Sequence, residues 1–403
     1  MSVFPRSDRP RMVVLTHVVP LDHADNAGQV YVTAQMDHWS RDWDVRCLLI
    51  DGRSAQTERG RSHAPTTLIT PSRRRRRRVL ELIDSRMRWS PASPSRTLRH
   101  DILQDPAAIR ELQSADAIVL QWEHVAALAP TMRRINATAQ IVGVLHDVVS
   151  QSARRHLLAA RTVREKVKHR GAEMVARWHE RRLRRWHDRL IVLSAKDRSL
   201  LPRGTRERTG IVPAPATFTS RALRAPVPGR ILLVLNWRPE NLDALAWFCD
   251  EVWPHVGVPA ADLEVHLIGK SLHGPVLERA LRLGFVERGF VDDLSLEYSR
   301  AALVVVPLRL GAGVKFKTVE ALAHGVPLIT TTVGAEGIAP LVSDPQVTDD
   351  PREFARLVSR ILRDPGTAEE HARALRERAR EAHSVEAMAR ALDEIVFHRG
   401  AGE

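Results

Sequence analysis

The chain has 403 residues, a formal net charge of +13, 44% hydrophobic residues and 5% aromatic residues. This length predicts roughly two to three domains, each large enough for its own core. No apolar run approaches the roughly 18 residues of a transmembrane helix, and residues 1–11 lack the apolar stretch of a signal peptide, so we expect a cytoplasmic protein. The two cysteines, Cys47 and Cys249, fall in different predicted domains and are expected to be free, buried thiols.

The positive charge is concentrated in two segments. Residues 73–78 are six consecutive arginines, and residues 151–190 contain thirteen Lys and Arg against four Asp and Glu. Such clusters indicate a polyanionic partner, which could be anionic lipid, nucleic acid or an acidic substrate.

The apolar residues of segment 151–190 recur near helical spacing, which predicts a helix with one apolar face and a basic remainder. This face either packs on the core, with the arginines in water, or makes a peripheral contact with an anionic membrane. Nucleic acid is disfavoured because neither a recognition fold nor interleaved aromatic residues accompany the charge. The residues of the predicted face are Val163, Val167, Met174, Val175, Trp178, Leu183 and Trp186.

Alternating strand-like and helix-like segments predict an α/β first half. The predicted strands are 12–19, 45–50, 116–121, 141–145 and 190–193, and the predicted helices are 30–40, 79–88 and 125–135. The rest of residues 51–100, rich in Arg, Ser, Thr and Pro, is expected to be a long loop. Gly28 follows a polar loop after the first strand, but the Gly-x-Gly-x-x-Gly pattern of a dinucleotide site is missing.

The proline-dense residues 213–229 predict an interdomain linker, after which a second α/β pattern begins. Its predicted strands are 230–235, 263–268, 288–291, 302–307 and 326–330. Its predicted helices are 242–252, 276–283, a short one between the last two strands, 351–362, 368–382 and 385–397.

The short helix of the second half carries the most informative motif. It opens with Gly311-Ala312-Gly313-Val314-Lys315-Phe316-Lys317, continues to Glu320 and ends at Gly325. Glycines allow close backbone approach, and the first N–H groups and the dipole of a helix favour an anion. The two lysines lie where the helix dipole disfavours a positive charge, which predicts a bound phosphate that neutralises them. Glu320 is positioned to accept hydroxyl hydrogen bonds from a group attached to that phosphate.

A second flexible turn, Gly334-Ala335-Glu336-Gly337, follows the next predicted strand. Two adjacent turns at the carboxyl edge of a parallel sheet are where open α/β folds bind ligands.

Four pieces of the second half, in order, resemble the family 4 retaining glycosyltransferases of the GT-B fold: residues 236–245, residues 289–294, the lysine–glutamate helix and residues 334–337. The resemblance runs from about residue 230 to residue 364. It implies an α/β GT-B architecture, with two Rossmann-like doubly wound domains facing a central cleft. The corresponding domains are residues 1–212 and 230–384, joined by linker 213–229, with residues 385–403 returning as a helix to the first domain.

The resemblance also implies roles for individual residues. Lys315, Arg238 and His146 are the expected catalytic residues: the two cations neutralise the diphosphate leaving group and His146 faces the transferred sugar. The expected donor-binding residues are Glu320, Gly311, Gly313, Lys317, Gly28, Glu336 and Asn236. The expected acceptor-side residues are Asp147, Glu123 and His124.

One departure from the family pattern concerns Ala312. Many members carry two glutamates separated by seven residues, and the first would fall at Ala312; this chain is similar to the branch with Gly-x-Gly-x-Lys-x-Lys instead. The donor sugar and the acceptor therefore stay open.

Metal and P-loop motifs are not supported. The Asp-x-Asp shape of residues 42–44 precedes a strand and indicates a turn, residues 269–271 lack the earlier glycine of a P-loop, and the histidines show no paired metal spacing. We expect a glycosyltransferase that uses a UDP- or GDP-sugar and needs neither a metal nor another cofactor. A non-catalytic GT-B subunit that binds a membrane or a partner, and a nucleotide-sugar epimerase, are the alternatives.

Overall fold

The computed structural model describes residues 9–20, 27–50, 65–69, 75–87, 93–218, 226–236, 238–270, 273–291, 293–341, 344–395 and 397. Two compact units emerge from the chain's contacts. Unit 1 comprises Met1–Pro213 and Met388–Glu403, and unit 2 comprises Ala214–Ala387. Each unit has a parallel sheet and a hydrophobic core of its own.

The sheet of unit 1 is entirely parallel, in the order β3-β2-β1-β4-β5-β6-β7. Its strands are β1 Arg11–Thr16, β2 Asp44–Leu49, β3 Thr66–Leu68, β4 Ala117–Gln121, β5 Gln140–Leu145, β6 Arg189–Val192 and β7 Thr209–Ile211. The central strands β4 and β5 are buried along their whole length, as expected for apolar runs covered on both faces.

The helices of unit 1 are α1 Ala27–Trp39, α2 Arg75–Met87, α3 Arg96–Gln104, α4 Pro106–Gln113, α5 Glu123–Ala126, α6 Ala129–Ile135, α7 Val149–Ala159, α8 Val163–Trp186, α9 Ala195–Leu200 and α10 Arg203–Arg206. The prediction of a loop with one short helix over residues 51–100 was incomplete, because β3 and the start of α3 also lie there. The signals were present. Ser95 caps α3, and Asp105 caps α4 with Pro106 in the first helical position.

The prediction of one apolar face on segment 151–190 was wrong. The segment forms α7 and the 24-residue helix α8, which begins with a capping box of Thr162 and Glu165. Small residues such as Ala172 and Ala176 share the core-facing side of α8 with Leu183. The predicted residues Val163 and Met174 are exposed instead.

Unit 2 contains a five-stranded parallel sheet in the order β10-β9-β8-β11-β12. Its strands are β8 Arg230–Val234, β9 Glu264–Ile268, β10 Val286–Gly289, β11 Leu303–Val306 and β12 Leu328–Thr330. Its helices are α11 Pro239–Trp247, extended by a π-helical turn Phe248–Val252, α12 Pro275–Arg282, α13 Leu294–Arg300, α14 Phe316–Ala323, α15 Pro351–Arg363 and α16 Pro365–His383. Aromatic side chains from several of these elements, including Trp247, Phe248 and Phe354, pack in its core.

The last helix, α17 Val385–Asp393, begins in unit 2, and residues 388–403 group with unit 1. It is shorter than predicted: Phe397 lies beyond it and packs against Trp39 and Trp43, with ring centroids 5.9 and 5.4 Å apart. None of the described helices combines the length and the hydropathy needed to cross a membrane.

Both cysteines are free and buried, as expected. Burial raises the pKa of the Cys47 and Cys249 thiols to about 12, so both stay protonated at neutral pH.

Candidate functional site

The lysine–glutamate motif lies at the carboxyl edge of the sheet of unit 2. After β11 the chain passes through a glycine loop into α14, and two residues of this loop require glycine: Gly311 has φ +96° and Gly313 has φ +70°. In the left-handed region a side chain would be strained. The two glycines therefore set the path by which the chain reaches the start of α14.

Threonine hydroxyls hold the two predicted turns side by side. Thr330 Oγ1 donates to Val306 O at 2.9 Å, which links β12 to β11, and Thr318 Oγ1 of α14 donates to Gly334 O at 2.9 Å. A Cβ at Gly334 would lie 2.8 Å from Val306 O and therefore cannot be accommodated. The second turn is thus fixed beside the amino end of α14.

Lys315 is the N-cap residue of α14 rather than part of its first turn. Its Nζ donates to Ala312 O at 3.0 Å and Gly313 O at 2.6 Å, and Glu336 Oε2 of the second turn lies 4.0 Å away. Both side chains are about one-tenth exposed, at 11% for Lys315 and 9% for Glu336. The Lys315 side chain therefore stabilises the glycine loop through two of its carbonyls and places a positive charge beside the second turn.

Lys317 connects α14 to the end of β8. Its Nζ donates to Val234 O at 2.6 Å and to Asn241 Oδ1 at 2.8 Å, and Asn241 Nδ2 in turn donates to Asn236 O at 3.2 Å. Burial lowers the pKa of Lys317 to about 8, and the charges of Lys315 and Arg238 act in the same direction against the opposing effect of Glu320. The charges of Lys315, Arg238 and Glu320 therefore lie close enough to Lys317 to change its pKa.

Glu320 lies one turn after Lys317 on α14, and Tyr298 of α13 holds it in place. The Tyr298 hydroxyl donates to Glu320 Oε2 at 3.0 Å, and the Tyr298 ring stacks on His324 at 4.9 Å. Burial raises the pKa of the Glu320 carboxyl, while the tyrosine hydrogen bond and Lys317 oppose the shift. Tyr298 and Asn241 were not predicted as site residues, although Asn241 belongs to the motif of residues 236–245.

Asn236 and Arg238 are exposed at the same sheet edge, directly after β8. Arg238 is the N-cap residue of α11, its side chain makes no capping hydrogen bond, and its N–H donates to Asn236 O at 2.8 Å. The structure therefore brings Asn236, Arg238, Lys315, Lys317, Glu320 and Glu336 to one edge of unit 2.

A second group of predicted residues lies where β4 and β5 of unit 1 end. The Nε2 atom of His146 lies 3.1 Å from Gln121 Oε1, and Gln121 Nε2 donates to Gln35 Oε1 at 2.7 Å. Because the amide oxygen of Gln121 can only accept, it assigns the proton of a neutral His146 to Nε2. Burial lowers the pKa of His146 to about 3, helped by the charges of His17 and His124, so the ring is neutral at physiological pH.

Trp122 orients His146 from the other side. The two rings stack at 4.3 Å and 11°, and His17 lies 3.8 Å from the Trp122 ring. With φ +68°, Trp122 is the one residue other than glycine with positive φ in the described part of the chain. Such backbone strain costs about 1–3 kcal/mol and clusters at functional sites. Nothing in the sequence marks Trp122 or His17, because neither the strain nor the stacking has a sequence signature.

Glu123 holds the backbone of this group in place. Glu123 Oε1 accepts a hydrogen bond from the backbone N–H of Asp147 at 2.9 Å, which joins the ends of β4 and β5. Burial, with the charge of Asp147, raises the pKa of Glu123 well above its ordinary value. Gly28 corrects one expectation: it lies in the first turn of α1 and not in the loop before it, and residues 21–26 are outside the described part of the chain.

The Asp-x-Asp sequence behaves as a turn followed by a strand. Asp44 is the first residue of β2, and its carboxylate accepts hydrogen bonds from Arg11 at 3.2 Å and from Arg46 at 3.0 Å. The carboxylate is therefore paired with two arginines. Within the described ranges, no three His, Cys, Asp or Glu side chains are grouped so as to hold a metal ion.

Comparison with known proteins places these observations in context. Residues 228–364 match the family model described as glycosyl transferases group 1. A stretch of 116 residues is 26% identical to an uncharacterized 44.6 kDa protein in the cps region of Klebsiella pneumoniae; it covers 27% of this chain and 30% of that protein.

Solved structures are similar over nearly the whole chain. Anabaena Alr3699/HepE in complex with UDP and glucose has a TM-score of 0.65 and 14% identity, covering 95% of this chain and 98% of HepE. TarM has a TM-score of 0.64 and 10% identity, covering 98% and 99%. A glycosyltransferase from Rickettsia africae has a TM-score of 0.62 and 10% identity, covering 96% and 97%.

The expected GT-B fold, with two Rossmann-like parallel sheets, is confirmed by these structures. The family match spans every residue that converges on the edge of unit 2. The comparisons therefore establish the fold, and the group 1 match over residues 228–364 supports glycosyl transfer.

Proposed function

We propose that the protein transfers a sugar from a nucleotide-sugar to an acceptor, and that the edge of unit 2 holds the diphosphate of the donor. The observation that carries the proposal is the convergence of three cations, Lys315, Lys317 and Arg238, at the amino end of α14. Like charges this close repel one another, and a bound diphosphate offsets that repulsion. The group 1 glycosyltransferase match over the same residues supports this interpretation.

The chemistry that these cations supply is stabilisation of the leaving group. As the bond between the sugar and the phosphate breaks, negative charge accumulates on the diphosphate, and nearby ammonium and guanidinium groups stabilise it. Charged hydrogen bonds of this kind contribute about 1.5–3 kcal/mol each, or about ten- to a hundredfold in rate when they form mainly in the transition state. Val234 O and Asn241 engage two of the three N–H donors of Lys317, which leaves the third to a ligand.

Glu320 is proposed to bind the ribose hydroxyls of the donor. Its carboxylate has two oxygens, and the hydrogen bond from Tyr298 to Oε2 fixes the orientation of the group. Glu336 and Asn236 are proposed as further donor contacts. Glu336 lies 4.0 Å from Lys315, and Asn236 accepts a hydrogen bond from Asn241, which itself accepts one from Lys317.

We further propose that the donor is a UDP- or GDP-sugar, that configuration is retained and that no metal is required. The complexes of HepE with UDP and with UDP-glucose favour a UDP-sugar. In this proposal the three cations provide the charge stabilisation that a divalent ion provides elsewhere. His146, neutral and fixed by Gln121 and Trp122, is proposed to meet the transferred sugar, with Asp147, Glu123 and His124 on the acceptor side.

The proposal is tested by hydrolysis and transfer assays with UDP-glucose, GDP-mannose and related donors, with and without a chelator. We expect release of one nucleoside diphosphate, turnover that the chelator does not change, and a product whose anomeric configuration by NMR equals that of the donor. Interconversion of free nucleotide-sugars without an acceptor would favour an epimerase. Absence of nucleotide binding altogether would favour a non-catalytic subunit.

A further inference from the structure

Four exposed apolar side chains form a stripe along α8 that the core does not use. Successive helix residues are about 100° apart, so positions 163, 167, 174 and 178 fall within a sector of about 60°. Their exposed fractions are 78% for Val163, 60% for Val167, 63% for Met174 and 46% for Trp178. Exposed apolar residues that are scattered singly are ordinary, whereas an aligned set on one helix face indicates an interaction surface. These four residues are called the α8 stripe.

The opposite face of the same helix packs against unit 1. Ala172, Ala176, His179 and Leu183 are buried there, and Glu180 beside them accepts from the backbone N–H of Ser150 at 3.0 Å. The α8 stripe is therefore not a misplaced part of the core. Helix α8 has two apolar faces, one satisfied inside unit 1 and one that faces outward.

An arginine groove lies beside the carboxyl-terminal end of the stripe, where Arg177 and Arg181 of α8 line it. It has a volume of about 640 Å³ and lies between α7, α8 and the α9–α10 segment. Its arginines are Arg154, Arg155, Arg177, Arg181 and Arg206, and Leu158 and Leu200 line it as well. Glu180 is the one acidic residue among the described residues that line it. The side chains of Arg154 and Arg181 are exposed, and within the described part of the chain neither makes a side-chain hydrogen bond or ion pair.

A second arginine groove, of about 440 Å³, lies on the other side of the stripe. Trp178 of the stripe and Trp186 line it, together with Arg96, Arg99 and Arg134. Among the described residues that line it, the acidic residue Asp84 accepts from Ser95 Oγ at 2.9 Å and pairs with Arg96 at 3.7 Å, which leaves Arg99 and Arg134 as the other cations of this groove. The exposed apolar stripe is thus bordered by guanidinium groups on both sides.

We propose that this face of unit 1 docks on an anionic phospholipid surface, with the α8 stripe inserted at the boundary between head groups and acyl chains and the two grooves holding lipid phosphates. An interfacial helix combines exposed apolar side chains with flanking cations in this way. Guanidinium groups bind phosphate through paired donors. Leu158, exposed at 76%, extends the apolar surface beside the first groove.

Other occupants leave part of the surface unexplained. A soluble polyanion would neutralise the arginines but would leave Val163, Val167 and Met174 in water. A second copy of this chain would cover the stripe but would bring two sets of arginines together, which is repulsive. An anionic bilayer satisfies both the apolar and the charged part of the surface. This inference is independent of the proposed sugar transfer.

The test is cosedimentation of the full chain with vesicles of phosphatidylcholine alone and of phosphatidylcholine mixed with phosphatidylglycerol in equal parts. We expect binding to the anionic vesicles only, and weaker binding as salt is raised, because the Debye length falls from about 10 Å at 0.1 M to about 3 Å at 1 M. Equal binding to both vesicles, or to neither, would overturn the proposal. So would binding to heparin in the absence of any vesicle binding, which would identify a soluble polyanion as the partner.

Two sets of variants separate charge from insertion. Each arginine near an anionic surface contributes about fivefold to partitioning, so Arg154→Gln with Arg181→Gln is expected to weaken vesicle binding about 30-fold. Val163→Gln, Val167→Gln and Met174→Gln together are expected to weaken it at least about tenfold by removing the inserted surface. Glutamine is a good helix former, so circular dichroism and thermal unfolding should stay unchanged.

Matched controls come from α12 of unit 2. Leu281→Gln and Arg282→Gln remove an exposed leucine and an exposed arginine there, and neither change is expected to alter vesicle binding. If the α8 and groove variants bind anionic vesicles as tightly as the natural chain, or if the controls weaken binding equally, this face is not the docking surface.

Discussion

The two sheet edges that carry the predicted site residues have opposite electrostatic character. At the edge of unit 2, Lys315, Lys317 and Arg238 lie together, and burial, with the charges of Lys315 and Arg238, lowers the pKa of Lys317. Where β4 and β5 of unit 1 end, burial keeps His146 neutral and raises the pKa of Glu123. Both positions follow the carboxyl ends of parallel strands, so topology alone does not explain the contrast.

The difference shows that the residues after each strand decide the chemistry of an edge. In unit 2 these residues are glycines, lysines and an arginine, which suit an anion. In unit 1 they are Trp122, His124 and His146, whose amphipathic rings suit the hydroxyls and apolar faces of a sugar. The comparison predicts that substitutions at the edge of unit 2 weaken nucleotide binding. Substitutions at the edge of unit 1 should slow sugar transfer and leave nucleotide binding unchanged.

The largest expected effect is that of Lys315→Ala, which should lower the rate of transfer by about ten- to a hundredfold through loss of one charged contact to the diphosphate. The measurement is kcat and KM with the best donor found. Arg282→Ala on α12 removes an exposed cation of the same unit and is the control. Equal rates in Lys315→Ala and the natural chain would remove Lys315 from the site.

His146→Ala should lower transfer by about tenfold through loss of a positioned hydrogen-bonding group at the sugar. The affinity for the free nucleoside diphosphate should stay unchanged, as measured by calorimetry. Gln121→Leu tests the same ring indirectly, since Gln121 Oε1 fixes its tautomer. A parallel loss of nucleotide affinity in His146→Ala would break the comparison between the two edges.

The pH dependence should distinguish the edges as well. Lys317, with a pKa of about 8, is charged below that pH and neutral above it. A bound diphosphate favours the charged form, so affinity should be highest below about pH 8 and fall by up to about tenfold per unit above it. Lys317→Arg, which keeps its charge throughout this range, should flatten the profile measured between about pH 7 and about pH 9. The same steep fall in the arginine variant would assign the pH dependence to another group.

The smallest expected effect belongs to Tyr298→Phe. Its hydroxyl donates to Glu320 Oε2 at 3.0 Å and lies 3.3 Å from Lys317 O, so it positions α14 residues rather than the donor itself. Donor KM should therefore rise about three- to tenfold, consistent with a single hydrogen bond, while Glu320→Ala should raise it further. An effect of Tyr298→Phe equal to that of Glu320→Ala would mean that the tyrosine itself contacts the donor.

Much of the fold follows from local pattern. Buried apolar runs predicted the central strands β1, β4, β5, β8 and β11, and each predicted strand end lies within three residues of the observed one. The short strands β3 and β7 were missed, because three residues carry almost no periodicity and sheet pairing determines them. The split of α8 into two apolar faces was also missed, since helical spacing locates faces but does not identify which one the core will cover.

The site was predictable to the extent that its chemistry is local. The motif of residues 311–320 contains its glycines, lysines and glutamate within ten residues, so helix geometry alone indicates an anion site. The partners that position these groups come from distant parts of the chain: Val234 and Asn241 for Lys317, and Tyr298 for Glu320. Trp122 could not be predicted, because its positive φ is imposed by tertiary structure.

The most direct test of the account is thermal unfolding of the natural chain, Lys315→Ala and His146→Ala with UDP and GDP. A nucleotide at a hundredfold its dissociation constant adds about 2.7 kcal/mol of stability, which is readily measured. We predict that one of the two nucleotides stabilises the natural chain and His146→Ala alike, and that Lys315→Ala loses about half of the effect or more. No stabilisation by either nucleotide, or equal stabilisation of the Lys315 variant, would contradict the claim that the edge of unit 2 holds the donor diphosphate.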